Sequence, residues 1–249
     1  MSTQPAAGLV VRGVVPPLSL ADFRLAAFDM DSTLIDIECV DEIAAMAGKK
    51  AEVAVITEAA MRGEIADYKE SLRRRVALLA GVPASALQRV YDERLRFNPG
   101  AEALVQACRE AGLKTVLVSG GFTFFTDRVR DRLKIDYTRS NVLEVEGGAL
   151  SEGRLEGAVL TGRLVDQPWG DICDGEEKRR MLLETCAALG IDPRRSFAVG
   201  DGANDLPMMA AAGLSVAYRA KPKVREAANV AIDEGGLDRL LEVLRPPGR

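Results

Sequence analysis

The feature that most constrains the fold of this chain is a short apolar run that ends in two acids. Residues 25–28 predict a buried strand, and Asp29 and Asp31 follow it with one residue between them. Because a strand points alternate side chains to the same side, both acids can project together from its end. Like charges a few ångströms apart raise each other's pKa unless a cation or a shared proton relieves them. The stretch therefore predicts a metal site, although a polar strand end followed by a Ser/Thr helix cap would fit these few residues alone.

The composition narrows the class of protein. With 249 residues, 47% of them hydrophobic, the chain is long enough for one large domain or for a core with a smaller insert. A formal net charge of −4 and scattered basic residues argue against a nucleic-acid partner. No apolar run reaches the ~18 residues that a membrane helix needs. The 4 cysteines lie far apart and form no CxxC pair, so we expect a reducing, cytoplasmic location.

The sequence contains no histidine. This absence excludes serine–histidine–aspartate triads, histidine general bases and histidine metal ligands together. Carboxylates, lysine and backbone groups must then carry any chemistry that the protein performs.

Beyond the acid pair, much of the chain alternates between strands and helices. Buried-type strands are predicted at 113–118, 196–199, 214–218 and 230–232, and helices at 101–111, 122–129, 176–189, 208–212 and 237–244. Such alternation with right-handed crossovers predicts the α/β class. We expect a doubly wound, Rossmann-like parallel sheet that binds its ligands at the carboxyl ends of the strands.

Other segments depart from this alternation. Helical spacing follows the first strand and predicts a small inserted cap, whereas glycine-punctuated β-type runs later in the chain predict a β-hairpin insertion. The first residues predict a loose lead-in with at most a short edge strand at 9–11. The predicted division is a lead-in at 1–22, a core at 23–36 and 97–249 with the hairpin at about 141–168, and a helical cap at 37–96.

Polar residues follow the strands that this fold would place near one another. Ser119-Gly120-Gly121 ends the strand at 113–118, and Gly200-Asp201-Gly202-Ala203-Asn204-Asp205 ends the strand at 196–199. Lys178 lies in the first turn of the helix at 176–189. A strand, a glycine turn and a helix in that order let backbone N–H groups meet an anion.

Four acids and one lysine in a single cleft cannot bind an anion unaided. Mg²⁺ resolves the conflict, because this hard cation is held by a few carboxylates and completes its octahedron with water and substrate phosphate oxygens. The sequence therefore predicts a magnesium site that receives a phosphate ester. The acids are Asp29, Asp31, Asp201 and Asp205.

With no histidine or obviously activated cysteine, the best nucleophile is a carboxylate held against the metal, and aspartate is known to form aspartyl-phosphate intermediates. Asp29 is better placed than Asp31 because it lies at the strand end itself. Asp31 can then protonate the leaving alkoxide and later deprotonate the attacking water. Ser119, the N–H groups after it and Lys178 would bind the nonbridging phosphate oxygens.

These motifs resemble, in their order, the four motifs of the haloacid dehalogenase superfamily of phosphatases. The ordered set is Asp29-Met30-Asp31-Ser32-Thr33, Ser119-Gly120-Gly121, Lys178 and Gly200-Asp201-Gly202-Ala203-Asn204-Asp205. From about Leu25 to Ile232 the chain is similar to those members that hydrolyse phosphoserine. The supporting residues are Asp36-Ile37-Glu38, Ala60-Met61-Arg62-Gly63-Glu64, Ser71-Leu72-Arg73-Arg74-Arg75-Val76 and Leu160-Thr161-Gly162-Arg163-Leu164.

The resemblance implies Mg²⁺-dependent hydrolysis of O-phospho-L-serine to L-serine and phosphate, the last step of L-serine biosynthesis. By position it also implies the roles of individual residues. Asp29 would be the nucleophile and Asp31 the general acid/base. The metal would be bound by Asp29, the backbone carbonyl of Asp31, and Asp201, with Asp205 close behind. The substrate would be bound by Glu38, Arg75, Ser119, Gly120, Lys178 and Asn204.

Glu38 and Arg75 have an independent physical rationale. Phosphoserine beyond its phosphate carries one ammonium and one carboxylate, which one acid and one arginine complement. Arginine suits the carboxylate because its planar fork can bind both oxygens. A solvated helix face remains the alternative for 73–75, and an N-terminal helix charge remains the alternative for Glu38.

The chain departs from the pattern of these relatives in two places. Tyr68 stands where they commonly have phenylalanine, and one extra residue, Ala66 or Asp67, precedes it. The predicted hairpin is also longer, because it carries the segment 151–157. The first difference predicts altered packing of the cap near the substrate.

Other functions fit the same motifs. The aspartyl-phosphate could be passed to another hydroxyl such as that of homoserine, which would make the protein a phosphotransferase, or another small phosphomonoester could be the substrate. A non-catalytic metal- or phosphate-binding protein is the alternative from a different class. The sequence does not indicate an oligomeric state.

Overall fold

The computed structural model describes residues 2–62, 64–65, 67–146, 148–149 and 157–246. Its strands are β1 (Ser2–Ala6), β2 (Leu9–Arg12), β3 (Leu18–Ser19), β4 (Leu25–Phe28), β5 (Lys114–Phe122), β6 (Tyr137–Val145), β7 (Gly148–Ala149), β8 (Leu160–Val165), β9 (Ser196–Gly200), β10 (Leu214–Tyr218), β11 (Val230–Ile232) and β12 (Leu244–Arg245). Its helices are α1 (Cys39–Met46), α2 (Lys50–Met61), α3 (Tyr68–Ala77), α4 (Ser85–Glu93), α5 (Ala101–Glu110), α6 (Thr123–Leu133), α7 (Gly175–Leu189), α8 (Leu206–Ala211) and α9 (Pro222–Ala227).

Among these residues, ten strands form one sheet in the order β1-β2-β11-β10-β9-β4-β5-β6-β7, with β8 pairing with β6. The strands from β11 to β6 are parallel, and the pairs at either end of this stretch are antiparallel. The chain runs from β4 to β5 and β6 on one side and later returns to β9 on the other side of β4. This reversal is the topological switch point at which ligands of doubly wound sheets bind. The predicted α/β class is confirmed.

Alternation along the parallel strands divides the core between the two faces of the sheet. Ala26 and Phe28 pack into one hydrophobic cluster, which includes Leu104 of α5. Leu25 and Ala27 pack into the other, with apolar side chains of α7, α8 and α9. Every residue of β4 is buried, as expected for a strand covered by helices on both faces. The core therefore fixes β4 and its carboxyl end on both sides.

Helices α1 to α4 lie between β4 and α5 in the chain, within the segment for which the sequence predicts a cap. The two ends of this insertion are held together by Asn98, whose side-chain amide donates to the carbonyl oxygens of Thr33 (2.8 Å) and Ile35 (2.9 Å). Arg96 N also donates to Asp36 Oδ1 at 2.9 Å. The inserted helices therefore begin and end at the same place, just after the end of β4. Within the described residues, no helix combines the length and the apolar character needed to cross a membrane.

The structure corrects the expectation for the chain's first residues. The predicted loose lead-in instead contributes β1 and β2 to the main sheet, where Val10 of β2 pairs antiparallel with Ala231 of β11. The predicted strand at 9–11 is confirmed as β2, but it is covered by β1 and is not the edge. The apolar run at 9–11 predicts β2, whereas the mostly polar sequence of β1 predicts no strand.

Differences also occur later in the chain. The predicted closing helix at 237–244 is a 3₁₀ segment, Leu237–Glu242, followed by β12. The predicted strand at 113–118 continues as β5 through Phe122, with irregular pairing to β6 after Val118. In the predicted hairpin region β8 runs antiparallel to β6, and residues 151–156 of the longer segment lie outside the described residues.

Candidate active site

The carboxyl ends of β4 and β9 lie side by side and carry the first acids of the site. Asp29 follows β4 directly, and its backbone N donates to Val199 O of β9 at 3.0 Å. The chain then turns sharply: Ser32 has a φ of 58°, and Ile35 N reaches back to Met30 O at 3.0 Å. Asp29 as a whole residue is only 5% exposed at this strand end.

Lys178 joins two of the predicted acids. Its Nζ lies 2.5 Å from Asp29 Oδ1 and 2.7 Å from Asp205 Oδ1, and the side chain is fully buried. The lysine is placed by the first turn of α7, where the Asp174 carboxylate caps the helix by accepting from Glu177 N. Burial lowers the pKa of Lys178, but the charges of Asp205 and Asp29 outweigh it and raise that pKa well above its usual range. The ammonium therefore stays charged in the cluster.

Asp205 is held by both of its carboxylate oxygens. Oδ1 binds Lys178, while Oδ2 accepts from the backbone N–H groups of Asp201 (3.1 Å) and Gly202 (2.9 Å). This position requires a residue without a side chain at 200, because a Cβ there would lie 2.4 Å from Asp205 Cγ. The glycine that ends β9 thus lets Asp205 close the turn.

The carboxylates of Asp29, Asp201 and Asp205 form a group that fits a divalent cation. Each offers one oxygen, and these oxygens all lie within 4.8 Å of one another. Carboxylate oxygens are the ligands that hard divalent cations prefer. Burial, then the charges of Asp205 and Glu38, raise the pKa of Asp201 to about 7. A cation bound here would lower that pKa again, because it favours the ionised carboxylate.

Asp31 is half-buried, lies apart from this carboxylate group and faces the start of α1. Its carboxylate accepts from Cys39 N at 3.2 Å and from Cys39 Sγ at 3.1 Å. Burial, followed by the charge of Glu38, raises the pKa of Asp31 to about 7. Burial also raises the pKa of the Cys39 thiol, which therefore remains a protonated donor. The two acids of the opening motif consequently have different surroundings: one binds a lysine and the other a thiol and an amide.

The segment of Ser119, Gly120 and Gly121 lies beside these acids at the irregular end of β5. Ser119 is fully buried, and its Oγ accepts from Gly121 N at 2.8 Å. Gly120 O accepts from the side-chain amide of Asn141 at 2.8 Å. The same Asn141 side chain accepts from Cys173 N at 2.8 Å, shortly before α7 begins. One amide therefore ties the glycine segment to the chain that carries Lys178.

The predicted substrate residues of the helical segment are less completely paired. Glu38 accepts from Ser32 Oγ at 2.7 Å. Arg75 lies on α3 with its side chain 13% exposed, and its Nη1 is 3.9 Å from Asp41 Oδ1. Within the part of the chain that the structure describes, Arg75 Nε and Asp41 Oδ1 are buried without a hydrogen-bond partner. Asn204, the remaining predicted substrate residue, lies in the 3₁₀ turn Ala203–Asp205, which follows β9.

Ion pairs tie α3 to the loop that leads into α7; we call them the α3 clasp. Lys69 Nζ lies 2.8 Å from Asp171 Oδ1 and 3.6 Å from Asp174 Oδ2. Arg73 also pairs with Asp171. Because Asp174 caps the helix that carries Lys178, the clasp connects the helical segment to the acid cluster.

The sequence patterns predict no separate role for Thr33, Cys39 or Asp41. Thr33 Oγ1 donates to Asp201 Oδ1 at 3.4 Å, across a long stretch of chain that no local pattern reveals. Cys39 directly follows Glu38, and this adjacency was the available signal. Asp41 lies one residue before the acidic Glu42 at the start of α1, where an acid is expected as a helix-end charge in any case.

The comparisons with known proteins agree with this geometry. Residues 26–210 match the haloacid dehalogenase-like hydrolase family. The chain belongs to that family. Over 243 residues it is 70% identical to the phosphoserine phosphatase of Polaromonas sp., covering 98% of this chain and 99% of that one. It is 68% identical to the phosphoserine phosphatase of Albidiferax ferrireducens over 244 residues, with the same coverage of each chain.

Solved structures of phosphoserine phosphatase are also similar to this chain. A phospho-aspartyl intermediate analogue of phosphoserine phosphatase superposes with a TM-score of 0.78 at 34% identity, covering 90% of this chain and 99% of that one. A substrate-bound phosphoserine phosphatase complex gives a TM-score of 0.78 at 33% identity with the same coverage.

Proposed function

We propose that this protein hydrolyses O-phospho-L-serine to L-serine and phosphate, the last step of L-serine biosynthesis. The observation that carries the proposal is the convergence of the ordered motifs on one cluster, in which Lys178 bridges Asp29 and Asp205 beside Ser119. Relatives that cover almost the whole chain and are named phosphoserine phosphatase support the choice of substrate.

The proposed metal is Mg²⁺, held by Asp29, the backbone carbonyl of Asp31, and Asp201, with Asp205 close behind. The carboxylate group described above supports a divalent cation, and its all-oxygen donor set favours magnesium. When bound, the cation would neutralise the acids and the phosphate, so that a dianion can enter an acidic pocket. A cytoplasmic location and a lack of nucleic-acid or membrane partners stay predictions from the sequence.

In the proposed first step, a carboxylate oxygen of Asp29 attacks phosphorus and the bond between phosphorus and the serine oxygen breaks. Asp31 gives its proton to the leaving serine alkoxide. In the second step Asp31 takes a proton from water, which attacks the aspartyl-phosphate and releases inorganic phosphate. A pKa of about 7 for Asp31 supports this role, because such a group can both hold and accept a proton near neutral pH.

The other groups bind and orient the substrate in this proposal. Ser119, the backbone of Gly120, and Lys178 bind the nonbridging oxygens, where charge must be stabilised. Glu38 binds the ammonium and Arg75 the carboxylate of the serine part, and Asn204 also contacts the substrate. The unpartnered Arg75 Nε supports this assignment, since a substrate carboxylate would satisfy it. The helical segment 37–96 serves as a cap that excludes bulk water.

The test is phosphate release from a panel of small phosphomonoesters, with Mg²⁺ and with a chelator. We expect O-phospho-L-serine to be the best substrate and the chelator to abolish its hydrolysis. Robust turnover of sugar phosphates without turnover of O-phospho-L-serine would overturn the substrate. Adding homoserine as an acceptor and analysing for its phosphate ester distinguishes hydrolysis from phosphotransfer.

A further inference from the structure

Tyr68, the first residue of α3, lies directly against Gly120. A Cβ built on Gly120 would lie 2.0 Å from the Tyr68 hydroxyl oxygen and 3.2 Å from its Cζ. The hydroxyl, more than the ring, therefore occupies the space in front of this glycine. A phenylalanine at the same position would leave that space open.

The charged groups around Tyr68 belong to both ends of the proposed substrate site. Among the positive charges that act on its phenol, Lys178 has the largest effect and Arg75 the next. Lys178 is proposed to bind the phosphate and Arg75 the carboxylate of the amino acid. The Tyr68 hydroxyl thus lies beside the phosphate-binding segment and within the field of both cations.

The phenol is available as a donor at this place. Among the described residues the Tyr68 hydroxyl has no hydrogen-bond partner; Tyr68 is half-buried, and its hydroxyl is not one of the fully buried atoms that lack a partner, so a ligand can reach it. Burial raises the pKa of Tyr68 well above its usual value, so the group stays a neutral O–H across the working pH range. A neutral donor on which two cations act is suited to an anionic acceptor.

We propose that the Tyr68 hydroxyl donates a hydrogen bond to a phosphate oxygen of the bound substrate. The inference rests on the proposed function, in that it takes this cleft to be the phosphate site. It adds a specific contact: the helical segment binds the phosphate itself as well as the amino-acid part. Binding of phosphate then favours the position of α3 over the cleft, because the two elements share one ligand.

The test compares Tyr68→Phe with Tyr218→Phe in the full-length, Mg²⁺-loaded protein. Tyr218 is a matched control, because its buried hydroxyl donates to Gly235 O at 3.4 Å, away from the site. Isothermal titration with inorganic phosphate measures the affinity of each variant. We expect Tyr68→Phe to bind phosphate about tenfold more weakly, the size of one hydrogen bond to a charged group, and Tyr218→Phe to bind it normally.

A second readout separates phosphate binding from general damage. L-Serine lacks the phosphate, so its binding is expected to be equal in Tyr68→Phe and the wild type. Equal phosphate affinity in Tyr68→Phe and the wild type would overturn the inference, and so would a wild type that binds no phosphate. A wild type that binds phosphate, loses it in Tyr68→Phe and does not hydrolyse O-phospho-L-serine would support the contact while rejecting the proposed function.

Discussion

Two charged regions of the site differ in how their charges are paired. One is the acid cluster at the ends of β4 and β9, and the other is the helical face, the side of the helical segment that carries Arg75 and Asp41. In the cluster, fully buried Lys178 has carboxylate partners at 2.5 and 2.7 Å. On the helical face, Arg75 lies 3.9 Å from Asp41, and in the described chain each of the two carries a buried atom without a hydrogen bond. The buried lysine of the first arrangement therefore has its partners within the protein, whereas the arginine of the second lacks a partner for one of its buried nitrogens.

This difference separates two tasks. The groups of the acid cluster act on the phosphate alone in the proposed reaction, so they do not distinguish one phosphate ester from another. The side of the helical segment that carries Arg75 and Asp41 binds most tightly a ligand that supplies hydrogen-bond partners for these residues. A ligand that leaves them unpaired binds more weakly. We therefore expect substitutions in the cluster to change the rate of chemistry and those on the helical face to change which ester binds.

The largest effect is expected from Asp29→Asn. Loss of the proposed nucleophile should lower kcat on the order of 10⁴-fold or more, as measured by phosphate release. The fold should persist, since an amide oxygen can still accept from Lys178 and Asp205 keeps its pairing. Circular dichroism and thermal unfolding check this. An Asn variant with wild-type turnover would contradict the assignment.

Lys178→Met should have the largest effect on stability. Removing the cation leaves Asp29 and Asp205 buried without their shared partner, which costs about 3–5 kcal/mol of unfolding free energy. Mg²⁺ should restore part of this loss, because a second cation can take over the carboxylates. Urea unfolding with and without Mg²⁺ measures both values. The exposed Lys223→Met is the control, and a Lys178→Met protein as stable as that control would contradict a charge-balancing role.

On the helical face, Arg75→Lys should raise KM for O-phospho-L-serine about 10- to 100-fold and change kcat less, because an ammonium cannot replace the two-pronged guanidinium. Inhibition by inorganic phosphate should not change, since phosphate has no carboxylate. Arg74→Lys on the same helix is the matched control; Arg74 is exposed and pairs with Glu70 at 2.7 Å. Equal KM values in the two variants would show that Arg75 does not select the substrate.

The smallest effect is expected in the pH dependence of metal binding. In the metal-free protein the pKa of Asp201 is raised to about 7, so its contribution to stability falls as pH rises from its unfolded value near 4 through 7. Mg²⁺ bound to the carboxylate, as proposed, would favour the ionised form and remove this penalty. The increase in Tm caused by Mg²⁺ should therefore be a few degrees larger at pH 8 than at pH 5. Asp201→Asn should flatten this difference, and a pH-independent increase in the wild type would argue against carboxylate ligands.

The acid cluster could be predicted from the sequence because its residues stand where local patterns end. Asp29 and Asp201 follow strands whose apolar runs are plain, and Lys178 follows a helix start. In a parallel sheet the carboxyl ends of neighbouring strands lie at the same edge, so the fold class alone predicts that these residues are close together. Their roles as nucleophile, ligand and phosphate-binding residue stay predictions, which the variants above test.

The surroundings of the second acid and the helical face could not be predicted in the same way. The Cys39 contact with Asp31 and the Arg75 approach to Asp41 depend on how α1 and α3 pack, which no periodicity specifies. Tyr68 was visible as an unusual residue, but its contact with Gly120 required coordinates. These are tertiary contacts between segments whose own patterns are ordinary.

The misassigned closing helix has a local cause. Leu237, Leu240 and Val243 are all fully buried and recur every third residue. A spacing of three fits one face of a 3₁₀ helix as well as it fits part of an α-helix. The apolar pattern therefore identified the buried face but not the number of residues per turn.

The α3 clasp has a consequence for how often the cleft opens. Its side chains are between 24% and 50% exposed, and pairs of this kind contribute about 0–1 kcal/mol each in water and less as salt rises. Ion pairs of this strength favour one position of α3 and can still be broken by thermal motion. The buried acids thus remain within reach of solvent-borne substrate, and the departing serine and phosphate meet no large barrier in these contacts.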